Sequence, residues 1–346
     1  MYKIKKLFIA AILMFGMIAG ADAASNFPGG VSSFGVPVLP GIGGNIYSGN
    51  VFWVDSGHAM AADSVSNGSK DSPFKTIDYA VGRTAANNGD VIIVVSGGSS
   101  YSENVTFDIA GLTVIFGGYG EDRSFISLPT STSTSSIDID AASVVLINAL
   151  IKAGTATVAI DVNASDFRMI GCETRDISTE LGDSSGASAT VWIKGDANAD
   201  RLWLVGHTHV GTDSTPSDIG EGAVAGVAPR SFMELTGEES VIVRDCPSVY
   251  GNFDHAVFVI GTGTASTRFS LSNCYIWNKN SHDIISTATA SSTGRMGPDL
   301  YLRIADNAAN ITEAVQGANM QFYQPISIVN NDGEVGTNTN IPYSTD

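Results

Sequence analysis

Eight six-residue windows of this chain share one pattern: apolar, any, apolar, two further residues, then a small residue at a turn. They cover 91–96, 112–117, 144–149, 167–172, 202–207, 241–246, 269–274 and 300–305. Their last positions form a column: Ser96, Gly117, Ala149, Cys172, His207, Cys246, Cys274 and Ala305. The steps between them run from 21 to 39 residues. An irregular period of this size, carried on short strands, implies a solenoid.

A second apolar strand precedes several windows. Val105 and Phe107 lie seven and five residues ahead of Leu112; Ile137 and Ile139 precede Val144, and Ile160 and Val162 precede Phe167, at the same offsets. Alternation puts one face of each strand inward and the other outward. Two or three short strands per turn, stacked in parallel, give an all-β fold: a parallel β-helix solenoid. One coil cannot bury its apolar face alone, so coils must stack. Eight coils at about 4.8 Å each predict a rod about 38 Å long. A sandwich or up-and-down barrel would show hairpin turns at regular spacing. A doubly wound α/β fold would need many amphipathic helices, and only residues 73–86 resemble one. There Ser72 is the expected N-cap, Pro73 the first helical residue, and Phe74, Ile77, Val81 and Ala85 one apolar face. This short N-terminal helix is expected to cap the first coil and protect its strand edges.

Of the 346 residues, 43% are hydrophobic and 15% charged, and 38 are Gly, which suits an all-β protein rich in turns. Residues 1–23 read as a secretory signal peptide: Lys3, Lys5 and Lys6, an apolar stretch from Leu7 to Gly20, then Ala21-Asp22-Ala23 before the expected cleavage. The stretch is too short to span a membrane. The expected location is secreted or cell-surface, with no membrane span after cleavage. Without the signal the net charge moves from −17 to −19. That argues against nucleic acid, which needs a basic footprint. It favours solubility, cations such as calcium, or polar uncharged ligands such as glycans; no cofactor is required. Three cysteines rule out a complete disulfide framework. All three fall in the column, so free, stacked thiols are expected, with a Cys246–Cys274 bridge as the alternative.

Residues 24–50 form a Gly/Pro-rich arm without helical or strand period. Its apolar residues, among them Phe27, Val31, Phe34 and Ile42, are expected to dock on a homo-oligomeric partner, on a particle, or on the rod itself. The β-helix is expected over 51–330 and an irregular tail over 331–346.

Residues 71–107 carry Pro73-Phe74-Lys75-Thr76-Ile77, then Gly89-Asp90, then Tyr101-Ser102-Glu103. This succession resembles the opening of right-handed parallel β-helix proteins of the pectate-lyase-like superfamily. The resemblance implies that fold over about 51–330. Residues 26–40 also resemble the start of uncharacterised β-helix proteins of environmental phages and prophages, which adds a virion as a setting. The superfamily includes lyases, hydrolases, tailspikes and adhesins, so fold alone leaves activity open.

The long excursions after the column residues are expected on one side of the rod, lining a groove. Glycan-binding candidates there are Trp203, Tyr250, Asp254, His255, Tyr275, Trp277, Lys279, His282 and Asp283. The aromatics offer ring faces to sugars. His255 and His282 lie about one coil apart beside Asp254 and Asp283, which suits an acid–base pair, a metal site or a solvated polar ladder. His207 and His209 form a His-x-His whose side chains face one way. They are metal-ligand candidates without a third ligand, or polar residues closing a corner. Paired acids suit glycoside hydrolysis, but lyase chemistry lacks a clustered basic set: Lys279, Arg175 and Arg230 are scattered. These signals predict a non-enzymatic structural or adhesive rod on a cell surface or virion, binding a polysaccharide or cell-surface glycan. The alternative is a secreted polysaccharide lyase or glycoside hydrolase.

Overall fold

A computed structural model describes residues 31–33, 36–38, 49–118, 122–128, 136–153, 156–176, 191–211, 230–253, 255–278, 283–289, 291–303, 315–316 and 320–329. The expected signal peptide and C-terminal tail lie outside these residues. The chain divides into two units, 1–47 and 48–346.

In the first unit Val31–Ser33 pairs antiparallel with Val36–Val38. The expectation that the arm lacks regular structure is corrected for these residues. Val has high strand propensity, and Pro37, which cannot donate, is tolerated because each strand of a two-stranded ribbon is an edge.

The second unit is an all-β right-handed parallel β-helix. Among the described residues its strands form three parallel sheets of ten, nine and eight strands, here sheets 1, 2 and 3. From Val91–Val94 onward the chain visits them in turn: Val91–Val94 in sheet 1, Ser100–Tyr101 in sheet 2, Val105–Phe107 in sheet 3, then Thr113–Phe116 back in sheet 1. Parallel crossovers of this kind take the right hand. The lumen is filled by inward residues of all three sheets. Trp192, Phe107, Phe116, Phe167, Phe232, Phe253, Phe258 and Phe269 are among its fully buried side chains. Each such burial contributes about 1.5–3 kcal/mol.

Seven of the eight windows lie in sheet 1. The last does not: Leu300–Arg303 belongs to sheet 2, where Leu300 pairs with Cys274. The sheet 1 strand of that coil is Gly294–Met296. The column therefore continues from Cys274 to Leu300, not to Ala305.

Sheet 1 is bounded by two columns of left-handed residues. Gly111, Ser143, Asp166, Arg201, Ser240 and Arg268 (φ 58 to 76°) precede its strands, and Asn148, Gly171, Gly206, Asp245 and Asn273 (φ 48 to 65°) follow them. From Ser143 to Asn148, Asp166 to Gly171, Arg201 to Gly206, Ser240 to Asp245 and Arg268 to Asn273 the spacing is five residues each time. A left-handed non-glycine residue costs about 1–2 kcal/mol. Each strained turn aims its N–H along the rod at a carbonyl of the next coil: Ser143 to Ser165, Asp166 to Asp200, Asn148 to Ile170, Gly171 to Val205, Gly206 to Arg244. These ladders offset the strain and turn the chain sharply without a loop. Long connections gather at the remaining corner, between sheet 2 and sheet 3, as from Val210 to Ser231.

The capping helix α1 is Ile77–Val81, shorter than the expected 73–86, and its N-cap is Thr76 rather than Ser72. Thr76 Oγ1 accepts from Tyr79 N at 3.3 Å. Phe74 is extended instead, bridged in parallel to Val54 and buried at 1% exposure. The helix starts where carboxylates take up the first free N–H groups. Asp63 Oδ1 accepts from Lys75 and Thr76, and Glu103 accepts from Ile77 and Asp78, both at 3.0 Å. The Tyr-x-Glu step thus has a mechanical role: Glu103 clamps the helix, and the Tyr101 hydroxyl accepts from Ser56 N at 3.2 Å.

Candidate functional site

The excursions do not begin at the column residue, as expected. Glu173–Asp176, Thr208–Val210, Ser248–Gly251 and Cys274–Asn278 are strands of sheet 2, and the connections follow them. Tyr250, Tyr275 and Trp277 are therefore held on strands. Two outward rows result. In one, Tyr250 pairs in register with Trp277 and Trp277 with Arg303. In the other, Tyr275 pairs with Tyr301 and Tyr301 with Ser327. The rings of Tyr275 and Tyr301 stack at 4.9 Å between centroids, 10° from parallel. Tyr250 and Trp277 lie 6.3 Å apart, and the Arg303 guanidinium sits 4.1 Å over the Trp277 ring. Tyr301 is 38% exposed, and the next residue in its row, Ser327, is too small to cover the outer ring face.

Trp203 is separated from this group. It stands on the outer face of sheet 1, in register with Arg168 and Ile242. His255 and Asp283 flank Asn278, whose Nδ2 donates to both of their backbone carbonyls at 3.1 and 3.3 Å. Asp254, Lys279 and His282 lie outside the described residues.

Sheet 3 carries an outward charged row that the sequence reading missed. Asp138, Asp161, Lys194 and Glu234 occupy one register position on four successive coils. Ser136 Oγ donates to Asp138 at 2.6 Å, Lys194 Nζ stands 3.8 Å from Asp161, and Arg230 Nε lies 3.1 Å from Glu234. Partial burial raises the Asp161 carboxyl above its ordinary range; Lys194 opposes this, while Asp138, Asp196 and Asp140 add to it. Strand alternation was the available signal: Asp138 and Asp161 sit between the apolar pairs Ile137/Ile139 and Ile160/Val162.

The His-x-His does face one way, into the lumen. His207 and His209 are fully buried and share one hydroxyl: Thr174 Oγ1 is 2.9 Å from His207 Nε2 and 2.8 Å from His209 Nδ1. Aromatic rings surround them, with Trp192 and Phe232 each 5.0 Å from His209. Burial drives the His207 imidazole down to about 3, helped by Arg123, and holds His209 well below 6.5. Both rings are neutral and turned onto a threonine. Among the described residues no cluster of three or more His, Cys, Asp or Glu is placed to hold a metal. The three cysteines are free and buried.

No family model matches the chain, and no curated protein does. Among solved structures it is similar to the pectin methylesterase from Aspergillus niger in deglycosylated form, at 16% identity over 87% of this chain and 92% of that one, with a TM-score of 0.39. It is also similar to a pectin methylesterase in complex with a hexasaccharide, at 15% identity over 84% of each chain, with a TM-score of 0.37.

Proposed function

We propose that this protein is an exported, non-enzymatic β-helix rod, displayed on a cell surface or virion, that binds polysaccharide along the outer face of sheet 2. The Tyr275–Tyr301 stack beside Trp277 and Arg303 carries this reading. Sugar rings present apolar C–H faces that pack on aromatic faces, and strand-borne rings are already ordered, which lowers the entropy cost of binding. Affinity electrophoresis against neutral polysaccharides tests it. Tyr301→Ala and Trp277→Ala should each weaken retardation by about tenfold, the loss of one good contact. Unchanged mobility shifts in both variants would refute the reading. Among the described residues no helix is long and apolar enough to cross a membrane. Display is assigned to residues 24–50 docking on a partner. Deleting them should leave the rod folded and weaken assembly or surface retention.

A second reading, a polysaccharide lyase or glycoside hydrolase, is favoured by the sheet 3 row. Asp138 and Asp161 lie on neighbouring strands, about 4.8 Å apart along the rod, and partial burial raises the Asp161 carboxyl above its ordinary value. One acid poised to donate beside a second carboxylate is the arrangement glycoside hydrolysis uses. New reducing ends or unsaturated products, abolished by Asp161→Asn, would establish it in place of pure binding.

A further inference from the structure

The outer face of sheet 1 bears a group that neither reading uses. Arg168, Trp203, Ile242, Ser270 and Arg295 follow one another in register on five successive strands. Arg244 projects outward two residues beyond Ile242 on the same strand. The guanidinium carbons of Arg168 and Arg244 lie 5.0 and 5.9 Å from the centre of the Trp203 ring. Two like charges are thus drawn onto one indole, whose electron-rich face attracts both.

The neighbouring acids are largely occupied by other arginines. Asp166 is gripped by Arg201 through two bonds of 2.7 Å, and Glu239 pairs with Arg268. Arg244 has Asp245 at 3.6 Å. Arg295 Nε donates to Ser270 Oγ at 2.9 Å. Among the described residues no carboxylate forms an ion pair with Arg168 or Arg295. Counting strands at about 4.8 Å, Arg244 lies about 10 Å along the axis from Arg168, and Arg295 about 10 Å further on. That interval is comparable to a disaccharide repeat.

We propose that Arg168, Trp203, Arg244 and Arg295 form a binding track for an anionic polysaccharide, with carboxylate or sulfate groups spaced along its chain. Guanidinium forks match both groups with paired hydrogen bonds, and Trp203 pre-orients two of them. The acidity of the whole chain does not forbid this. At physiological ionic strength charges beyond about 8 Å are largely screened, so the local arginines set the field. The track is independent of the aromatic rows of sheet 2 and stands or falls separately.

The test is a binding titration of the full chain with polygalacturonate, dextran sulfate, unmodified dextran and a single-stranded oligonucleotide. Both substituted arginines are exposed, and thermal unfolding of each variant verifies the fold. The double variant Arg168→Ala/Arg244→Ala should weaken the charged polysaccharides by about tenfold or more. It should leave dextran unchanged, whereas Trp277→Ala should spare the charged polymers. Stronger binding of polygalacturonate identifies carboxylate as the recognised group, and stronger binding of dextran sulfate identifies sulfate. The track is refuted if the double variant binds charged polysaccharides as the parent does. It is equally refuted if the oligonucleotide binds as tightly as they do, which would mean charge attraction without sugar recognition.

Discussion

The hydroxyl of Thr174 lies 2.8 Å from Nδ1 of His209, inside a lumen lined mostly by apolar side chains. That hydroxyl has one proton, so it can donate to only one of the two imidazoles, and the ring tautomers set which; its other partner is Nε2 of His207 at 2.9 Å. Burial, rather than this bond, is what holds both rings in the neutral form.

Acid should therefore loosen the rod. Both histidines have folded pKa values below the unfolded value of 6.5. The folded chain binds fewer protons, so stability is complete above pH 6.5 and declines as pH falls toward about 3. The slope is about 1.4 kcal/mol per pH unit for each histidine. Thermal unfolding at pH 7.5 and pH 5 should differ by several degrees, and His209→Phe should roughly halve the difference. An unchanged melting temperature down to pH 5 would contradict the neutral pair.

Glu238 should act in the opposite direction. Its side chain is fully buried, accepts from Thr236 N at 2.7 Å and Ser266 Oγ at 2.8 Å, and is pushed up to about 7, chiefly by burial. A raised acid favours the folded state below its unfolded value of 4.5, and that contribution is lost as pH rises to about 7. Glu238→Gln should stabilise the rod at pH 8 by about 1–3 kcal/mol and change little at pH 4.5. Chemical denaturation at the two pH values measures both.

The left-handed columns predict two classes of glycine. At Gly171, φ is +60° and no atom lies within 4 Å of an added Cβ, so Gly171→Ala meets only backbone strain, about 1–2 kcal/mol. At Gly297, φ is +94° and the added Cβ would stand 1.8 Å from the Tyr323 carbonyl oxygen. Gly297→Ala must displace backbone as well and should cost clearly more. Equal unfolding midpoints for the two variants would contradict the ranking.

A core truncation tests coil stacking. Phe258 is fully buried, with its ring centre 5.8 Å from those of Phe232 and Phe269. Phe258→Ala should cost about 3–5 kcal/mol through lost burial and the cavity left behind. Urea titration of the variant gives the value directly.

The lumen made sheet 1 and sheet 3 readable. Inward positions are mostly apolar from coil to coil, so pairs such as Ile137/Ile139 and windows such as 167–172 recur in sequence. Sheet 2 was hidden because its strands begin directly after a one-residue turn and carry Lys152, Arg175 or Tyr250 on the outside. The last window slid one strand forward because Gly294–Met296 has lost the apolar pattern while Leu300–Arg303 shows it. The charged row was illegible because Asp138 and Asp161 look like the ordinary solvent-facing positions of alternating strands, and only register across coils lines them up. The aromatic rows were half visible: Tyr250, Tyr275 and Trp277 were named, but Tyr301 and Arg303 join them only through register across coils.

The fixed five-residue interval between the two left-handed columns makes sheet 1 behave like a ratchet with equal teeth. One residue added there would turn a strand inside out and misplace a ladder donor. The corner between sheet 2 and sheet 3 carries no such count, and its connections already differ widely in length. Lineages of this fold can thus exchange whole surface segments at that edge while the tube beneath keeps its gauge. The same edge is the place to graft a foreign peptide without retuning the coil.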